Sequence, residues 1–290
     1  MSIRAVRSSQ SPRVAASALA FALFLAGQFS NAASPEIASK VDRLIDVSGL
    51  AHTARQVLPG MLSGIDPPQQ GVPANVRSAL RAAATQAFQP EPMIERIRTR
   101  LGAALTAGHL DDTLAWLDSP LGRRLTAAEN EVAEPAALTQ MQAYGRQLEK
   151  RPPAKHRVGL IEDLTRTIGA TEVSATILEG TILASALGLN AAQPVQQQVS
   201  PDVLRQRVKS SLPEFRQQTD QVVTLSLFYA YRSMSDREIE SYLKFLKSPS
   251  GAAYSKVATE ALSEAILEAI GRFMVALPKA LDKYKSTTST

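Results

Sequence analysis

Tyr254-Ser-Lys-Val-Ala-Thr-Glu-Ala-Leu-Ser-Glu-Ala-Ile-Leu-Glu-Ala-Ile-Gly-Arg-Phe273 carries its apolar side chains at steps of three and four. Tyr254, Ala258, Ala261, Ala265 and Ala269 alternate with Leu262, Ile266, Ile270 and Phe273 in one broad stripe. Lys256, Glu260, Glu264, Glu268 and Arg272 hold the opposite line. This is the period of a helix that buries one face, whereas a half-buried strand would alternate at two. Lys256 and Arg272 bracket the glutamates at four-residue spacing, so the row reads as solvated ion pairs along one helix rather than as a cation site.

The same period runs through the rest of the chain, which is rich in residues that lose little side-chain freedom in a helix. The predicted fold class is all-α. Expected helices cover 36–48, 51–64, 75–88, 91–107, 109–118 and 120–148 in the first half. In the second half they cover 157–168, 171–187, 201–211, 214–233, 236–247 and 249–276. Ser235-Asp-Arg-Glu238 is a capping box. Ser119-Pro120, Ser200-Pro201 and Ser248-Pro249 each place a cap before a proline at the first helical position. Pro278 is expected to end the last long helix.

Just upstream of that helix lies a second signal. His109-Leu-Asp-Asp-Thr-Leu-Ala-Trp-Leu-Asp-Ser-Pro-Leu-Gly-Arg-Arg-Leu125 precedes Glu238-Ile-Glu-Ser-Tyr-Leu-Lys-Phe-Leu-Lys-Ser-Pro-Ser-Gly-Ala-Ala-Tyr254 by 129 residues. Trp116, Ser119, Pro120 and Gly122 fall on Phe245, Ser248, Pro249 and Gly251. Leu44 through Gly49 falls on Leu164 through Gly169 at an offset of 120, the difference being absorbed near 188–200. The reading is a duplicated helical architecture: two related halves, 33–150 and 151–290, joined at the charged, proline-broken Gln147–Lys155 and packed together. Each half is long enough to be expected to hold its own core. A glycine so early in both closing helices implies close approach by another backbone or a bulky side chain. In the first copy no clear capping serine precedes the motif, and Asp111-Asp112 replace Glu240-Ser241.

A leucine-rich helix that closes as aromatic-Leu-x-Ser-Pro-x-Gly resembles an uncharacterised bacterial family, domain of unknown function 2059. The resemblance covers roughly 104–135 and 232–265, one copy in each half. It implies an exported helical protein of Gram-negative bacteria and brings no catalytic residue with it.

Arg4, Arg7 and Arg13 precede an apolar run from Val14 to Gly27, and Ser30-Asn31-Ala32 offers a small-residue exit. This is the pattern of a secretory signal over residues 1–32, with Ala33 starting the mature chain. The run is shorter than the roughly 20 residues that span a bilayer. Without those three arginines the net charge falls from +5 to +2, too little for the basic footprint of a nucleic-acid binder, so no nucleic-acid partner is expected. The 290 residues include no cysteine, which excludes disulfides, thiolate catalysis and cysteine-ligated zinc. The expected protein is periplasmic or secreted and does not span the membrane after cleavage.

No residue is nominated as catalytic, cofactor-binding or metal-binding, and no cofactor is expected. His52, His109 and His156 are far apart in sequence, and His109-Leu-Asp-Asp112 reads as a helix amino terminus. Gly60-Met-Leu-Ser-Gly64 places its serine one position late for a nucleophile elbow. The acids at 129, 131 and 134 read as dispersed around their helix, with none placed to have a raised pKa. Trp116 and Phe245 read as core anchors, and Val222–Tyr231 as a buried central helix or, alternatively, a hydrophobic ligand or partner surface. The functional expectation is a non-enzymatic binding or interaction protein of the envelope, its partner another envelope protein or an amphipathic small molecule. The alternative is an envelope hydrolase in which Asp111, Asp112, Glu238 and Glu240 converge.

Overall fold

The computed structural model describes residues 34–66, 73–191, 193 and 195–286, so the segment read as a signal lies outside the described residues. Within them the chain forms twelve α-helices and no strand, and the protein is all-α. The first half contains α1 (Pro35–Val47), α2 (Leu50–Ile65), α3 (Ala74–Ala87), α4 (Pro90–Ala104), α5 (Ala107–Leu117), α6 (Pro120–Ala133) and α7 (Ala137–Lys150). The second contains α8 (Lys155–Ile168), α9 (Ala170–Ala191), α10 (Pro201–Ala230), α11 (Asp236–Leu246) and α12 (Pro249–Ser286). Among the described residues, no helix is long and apolar enough to cross a membrane.

The largest departures from the sequence reading are at prolines. The helix expected over 120–148 is two, because Glu134, the residue before Pro135, is extended (ψ 136°) and breaks it. Conversely, 201–211 and 214–233 fuse into α10, which runs through Pro213. Helix α12 passes Pro278 to reach Ser286. An interior proline forfeits a backbone hydrogen bond and clashes with the preceding turn, at about 3 kcal/mol. In α12 burial on both sides of the proline opposes that cost: Ala276, Leu277 and Leu281 are all buried.

The caps follow the expected chemistry, with one addition. Ser235 and Glu238 form the reciprocal box at the start of α11. Helix α5 begins two residues earlier than expected, at a box the sequence reading missed. The Thr106 hydroxyl accepts from the His109 amide, and His109 Nδ1 accepts from the Thr106 amide. Thr106 precedes Ser235 by the same 129 residues, so both motif helices start with one device.

The core is assembled across the chain. Val41, Leu44 and Ile45 of α1, Ala79, Ala83, Ala84 and Ala87 of α3, and Met93, Ile97 and Leu101 of α4 form one buried cluster. It is completed by Ala258, Ala261, Ala265, Ala269, Ile270 and Phe273 of α12, the last helix of the second half. Alanine facing alanine lets α12 approach α3 closely, since interaxial distance follows side-chain size. Reciprocally, Leu125 of α6 enters the second core with Ile161, Leu164, Tyr231, Ile239, Leu243 and Leu246. Met141 of α7 packs with Tyr229 of α10. Each half therefore lends its closing helix to the other, and neither closes its core from its own residues, contrary to the expectation of independent cores.

The glutamate row on α12 also points across this joint. Arg96 reaches Glu264 and Glu268 at 2.9 and 3.1 Å, and Arg100 reaches Glu264 at 3.1 Å. The guanidiniums of α4 thus replace the expected pairing with Lys256 and Arg272. Arg272 instead donates to the Ala87 carbonyl at the end of α3.

A fragment ending at residue 150 should consequently fail to fold, because it exposes the α3 and α4 faces that α12 covers. Circular dichroism and amide spectra of 33–150 alone should lack cooperative unfolding, and adding 151–290 in trans should restore it. A cooperative, native-like 33–150 would contradict the exchanged-helix packing.

Candidate functional site

The residues singled out in the motif build two sharp corners that meet. In the first corner the Ser119 hydroxyl accepts from the Gly122 amide at 3.0 Å, and in the second Ser248 accepts from Gly251 at 3.1 Å. Pro120 and Pro249 occupy the first helical positions, where no N–H is needed. A β-carbon on Gly122 would lie 2.8 Å from Leu117 Cα and closer still to the Trp116 carbonyl oxygen. On Gly251 it would lie 3.1 Å from Leu246 Cα and closer still to the Phe245 carbonyl. Each glycine is required because the preceding helix folds back onto it.

The two corners face each other through their aromatic anchors. The Trp116 and Phe245 rings stack with centroids 4.2 Å apart and 9° between planes. Tyr242 stacks on Trp116 at 5.2 Å. Stacked aromatic pairs add about 0.5–1.5 kcal/mol beyond their area. Around this seam, ion pairs recur with reversed sign. Arg43 meets Asp118 at 2.5 Å, while at the matching offsets Asp163 meets Lys247 at 2.6 Å.

Beside the stack lies a carboxylate that the sequence reading treated as ordinary. Glu129 Oε1 accepts from the hydroxyls of Tyr231 at 2.6 Å and Tyr242 at 3.0 Å. Burial raises the Glu129 pKa above its ordinary value, and the two tyrosine hydroxyls oppose that rise. The neighbouring tyrosines respond in turn: burial and then the Glu129 charge push Tyr231 and Tyr242 well up, and burial pushes Tyr254 to about 12. One signal was available in the sequence, since Glu129 stands four residues after Leu125 on the apolar stripe of α6. Next to it, Glu131 is held below its usual range by Arg232 and the Tyr229 hydroxyl. Arg232 also lies over the Tyr229 ring at 3.8 Å.

The four acids considered for hydrolysis have separate partners. Asp111 pairs with Lys40 at 2.8 Å, and Asp112 accepts from the Ser250 hydroxyl at 2.6 Å. Glu240 meets His156 at 3.1 Å. Glu238 binds the Ser235 amide and hydroxyl and Arg124, which together hold its pKa down at about 2. His52 meets Glu134 at 3.0 Å. Among the described residues, no group of three or more His, Cys, Asp or Glu could hold a metal ion.

A groove of about 750 Å³ lies between α7, α8 and α10. Leu148, Val158, Leu225 and Phe228 form its apolar floor, and Glu149, Glu162, Asp220 and Arg166 stand at its rim. The Val222–Tyr231 segment is thus divided. Val223, Tyr229, Ala230 and Tyr231 are buried, Leu225 and Phe228 line the groove, and Val222 is 58% exposed.

Residues 91–150 match the family described as "Uncharacterized protein conserved in bacteria (DUF2059)". The DUF2059 segment runs through α4, α5, α6 and α7, so it includes the first corner with Trp116 and the α7 wall of the groove. The match covers the first of the two stretches read as copies. No curated protein and no solved structure matches the chain.

Gly251→Ala should destabilise the protein by about 1–3 kcal/mol through overpacking. Urea unfolding beside the parent checks this, and unchanged or greater stability would remove the tight corner. A second expectation concerns pH. With a folded pKa raised above 4.5, Glu129 contributes most to stability when protonated, and that contribution is lost as pH rises through the raised value. Glu131 and Asp163 are lowered and act in the opposite sense. They are shared with a Glu129→Gln variant, so the difference between the two proteins isolates Glu129. The variant should gain stability relative to the parent between acid and neutral pH.

Proposed function

We propose that this chain is an exported, non-enzymatic binding protein of the bacterial envelope, holding an amphipathic small molecule in the groove between α7, α8 and α10. The observation that carries this reading is the groove itself. Its volume of about 750 Å³ lies within the range of ligand sites, roughly 300–1,000 Å³, and its floor is apolar with few polar groups at the rim. Its α10 wall comes from the apolar Val222–Tyr231 segment. Export rests on the signal pattern over 1–32, and periplasmic or secreted residence follows from it.

The duplication belongs to the same reading. Residues 33–150 and 151–290 are taken as two copies of one helical unit. Matching capping boxes, matching corners and the sign-reversed ion pairs support it. So do the paired left-handed glycines, Gly49 (φ 79°) and Gly169 (φ 62°), at the offset of 120. The hydrolase alternative lacks comparable support. Asp111, Asp112, Glu238 and Glu240 each satisfy a different partner, and a carboxylate held at about 2 is a poor proton donor at neutral pH.

The protein expressed with its native leader and released by gentle osmotic shock provides the test. Native mass spectrometry should show a mature chain beginning at Ala33 and a bound species of small-molecule mass. A mature chain free of any bound small molecule under these conditions would overturn the binding reading. An associated protein in its place would move the function to an interaction surface.

A further inference from the structure

The groove's rim carries more negative charge than its own residues neutralise. Among the described lining residues, Glu149, Glu162 and Asp220 stand beside one cation, Arg166, which already pairs with Asp163 at 3.6 Å. Asp220 accepts from the Thr171 hydroxyl at 2.8 Å. Neither Glu149 nor Glu162 has an ion-pair partner among the described residues. Both are exposed at the mouth, with Leu148, Val158 and Leu225 below them.

The corresponding seam of the first half shows what is missing. At the offset of 120 Ala38 falls on Val158 and Asp42 on Glu162, and at 129 Glu95 falls on Thr224 and Thr99 on Phe228. The α1–α4 seam lined by Ala38, Glu95, Arg98 and Thr99 is a smaller opening of about 370 Å³. There Arg98 reaches Asp42 at 2.6 Å and also pairs with Glu95. At the offset of 129 Arg98 falls on Leu227, so no cation stands at that position in the second half, while Glu162 keeps a carboxylate at the position of Asp42.

We infer that the groove takes a cationic amphiphile: an apolar chain or ring on Leu148, Val158, Leu225 and Phe228, with an ammonium or guanidinium group between Glu149 and Glu162. The inference rests on the binding reading above and adds the sign of the ligand's charge. The ligand's cation stands where Arg98 stands in the first half. The exposed carboxylates attract such a cation most strongly at low salt, where screening is least, and the apolar floor below takes its chain.

The test uses the mature protein and three probes below their micelle-forming concentrations: n-octylammonium chloride, sodium octanoate and octyl glucoside. Calorimetric titration at low salt should show octylammonium binding at least about tenfold tighter than octanoate. Glu149→Gln with Glu162→Gln should bring the two within about threefold, and Glu162→Lys should reverse the order in favour of octanoate. Both positions are exposed, and thermal unfolding verifies that the variants fold. Equal or tighter binding of octanoate or octyl glucoside by the parent would overturn the cation assignment and leave the amphiphile groove standing. Octylammonium binding unchanged in the Gln and Lys variants would overturn the placement. No binding of any probe by the folded parent would overturn both readings.

Discussion

Ala261, Ala265 and Ala269 of α12 are fully buried against a first-half core that contains Ala79, Ala83, Ala84 and Ala87 of α3. The other contacts between the halves depend on that seating. Small side chains on both helices allow a close contact along α3, which covers only part of α12, a helix about 57 Å long at 1.5 Å per residue. A helix of 38 residues that starts at the second corner must leave its own half to find this surface. Its departure obliges the first half to reciprocate, and Leu125 and Met141 do so from α6 and α7.

The corners set the direction of both departures. Ser-Pro stops one helix and starts the next, and a glycine permits the second helix to cross the carbonyl end of the first. The aromatic residue just before each corner then projects toward its counterpart, so that Trp116 and Phe245 stack. A residue that meets its own equivalent is the mark of an isologous contact, here within one chain. Glu129 and its tyrosines fill the space beside the stack. A polar cluster there specifies one arrangement of the corners, since a displaced Glu129 would lose both hydroxyl partners in a desolvated place.

The two halves share these devices and differ where they do not touch. In the first, Arg98 joins Asp42 and Glu95 and narrows the seam between α1 and α4. In the second, Leu227, Glu162 and Thr224 stand at the corresponding places and the seam is an open groove. The break at Pro135 contributes as well. It separates α7 from α6, whereas the equivalent stretch of α12 continues unbroken.

The sequence by itself determined the helical class, the corners and their capping, because these depend on neighbours within a turn or two. Apolar period, Ser-Pro, and the glycine after it are local signals. It failed at two interior prolines: Pro278 and Pro213 read as stops, yet both helices continue through them, with buried Ala276, Leu277 and Leu281 flanking Pro278. It also missed Thr106, whose cap is completed by a histidine in place of the usual acid. Only the tertiary structure decided which half each closing helix serves, that Arg96 and Arg100 take the glutamates of α12, and that Glu129 meets tyrosines more than 100 residues away. Those pairings are non-local, and the periodicity of one helix carries no information about which other helix will cover its face.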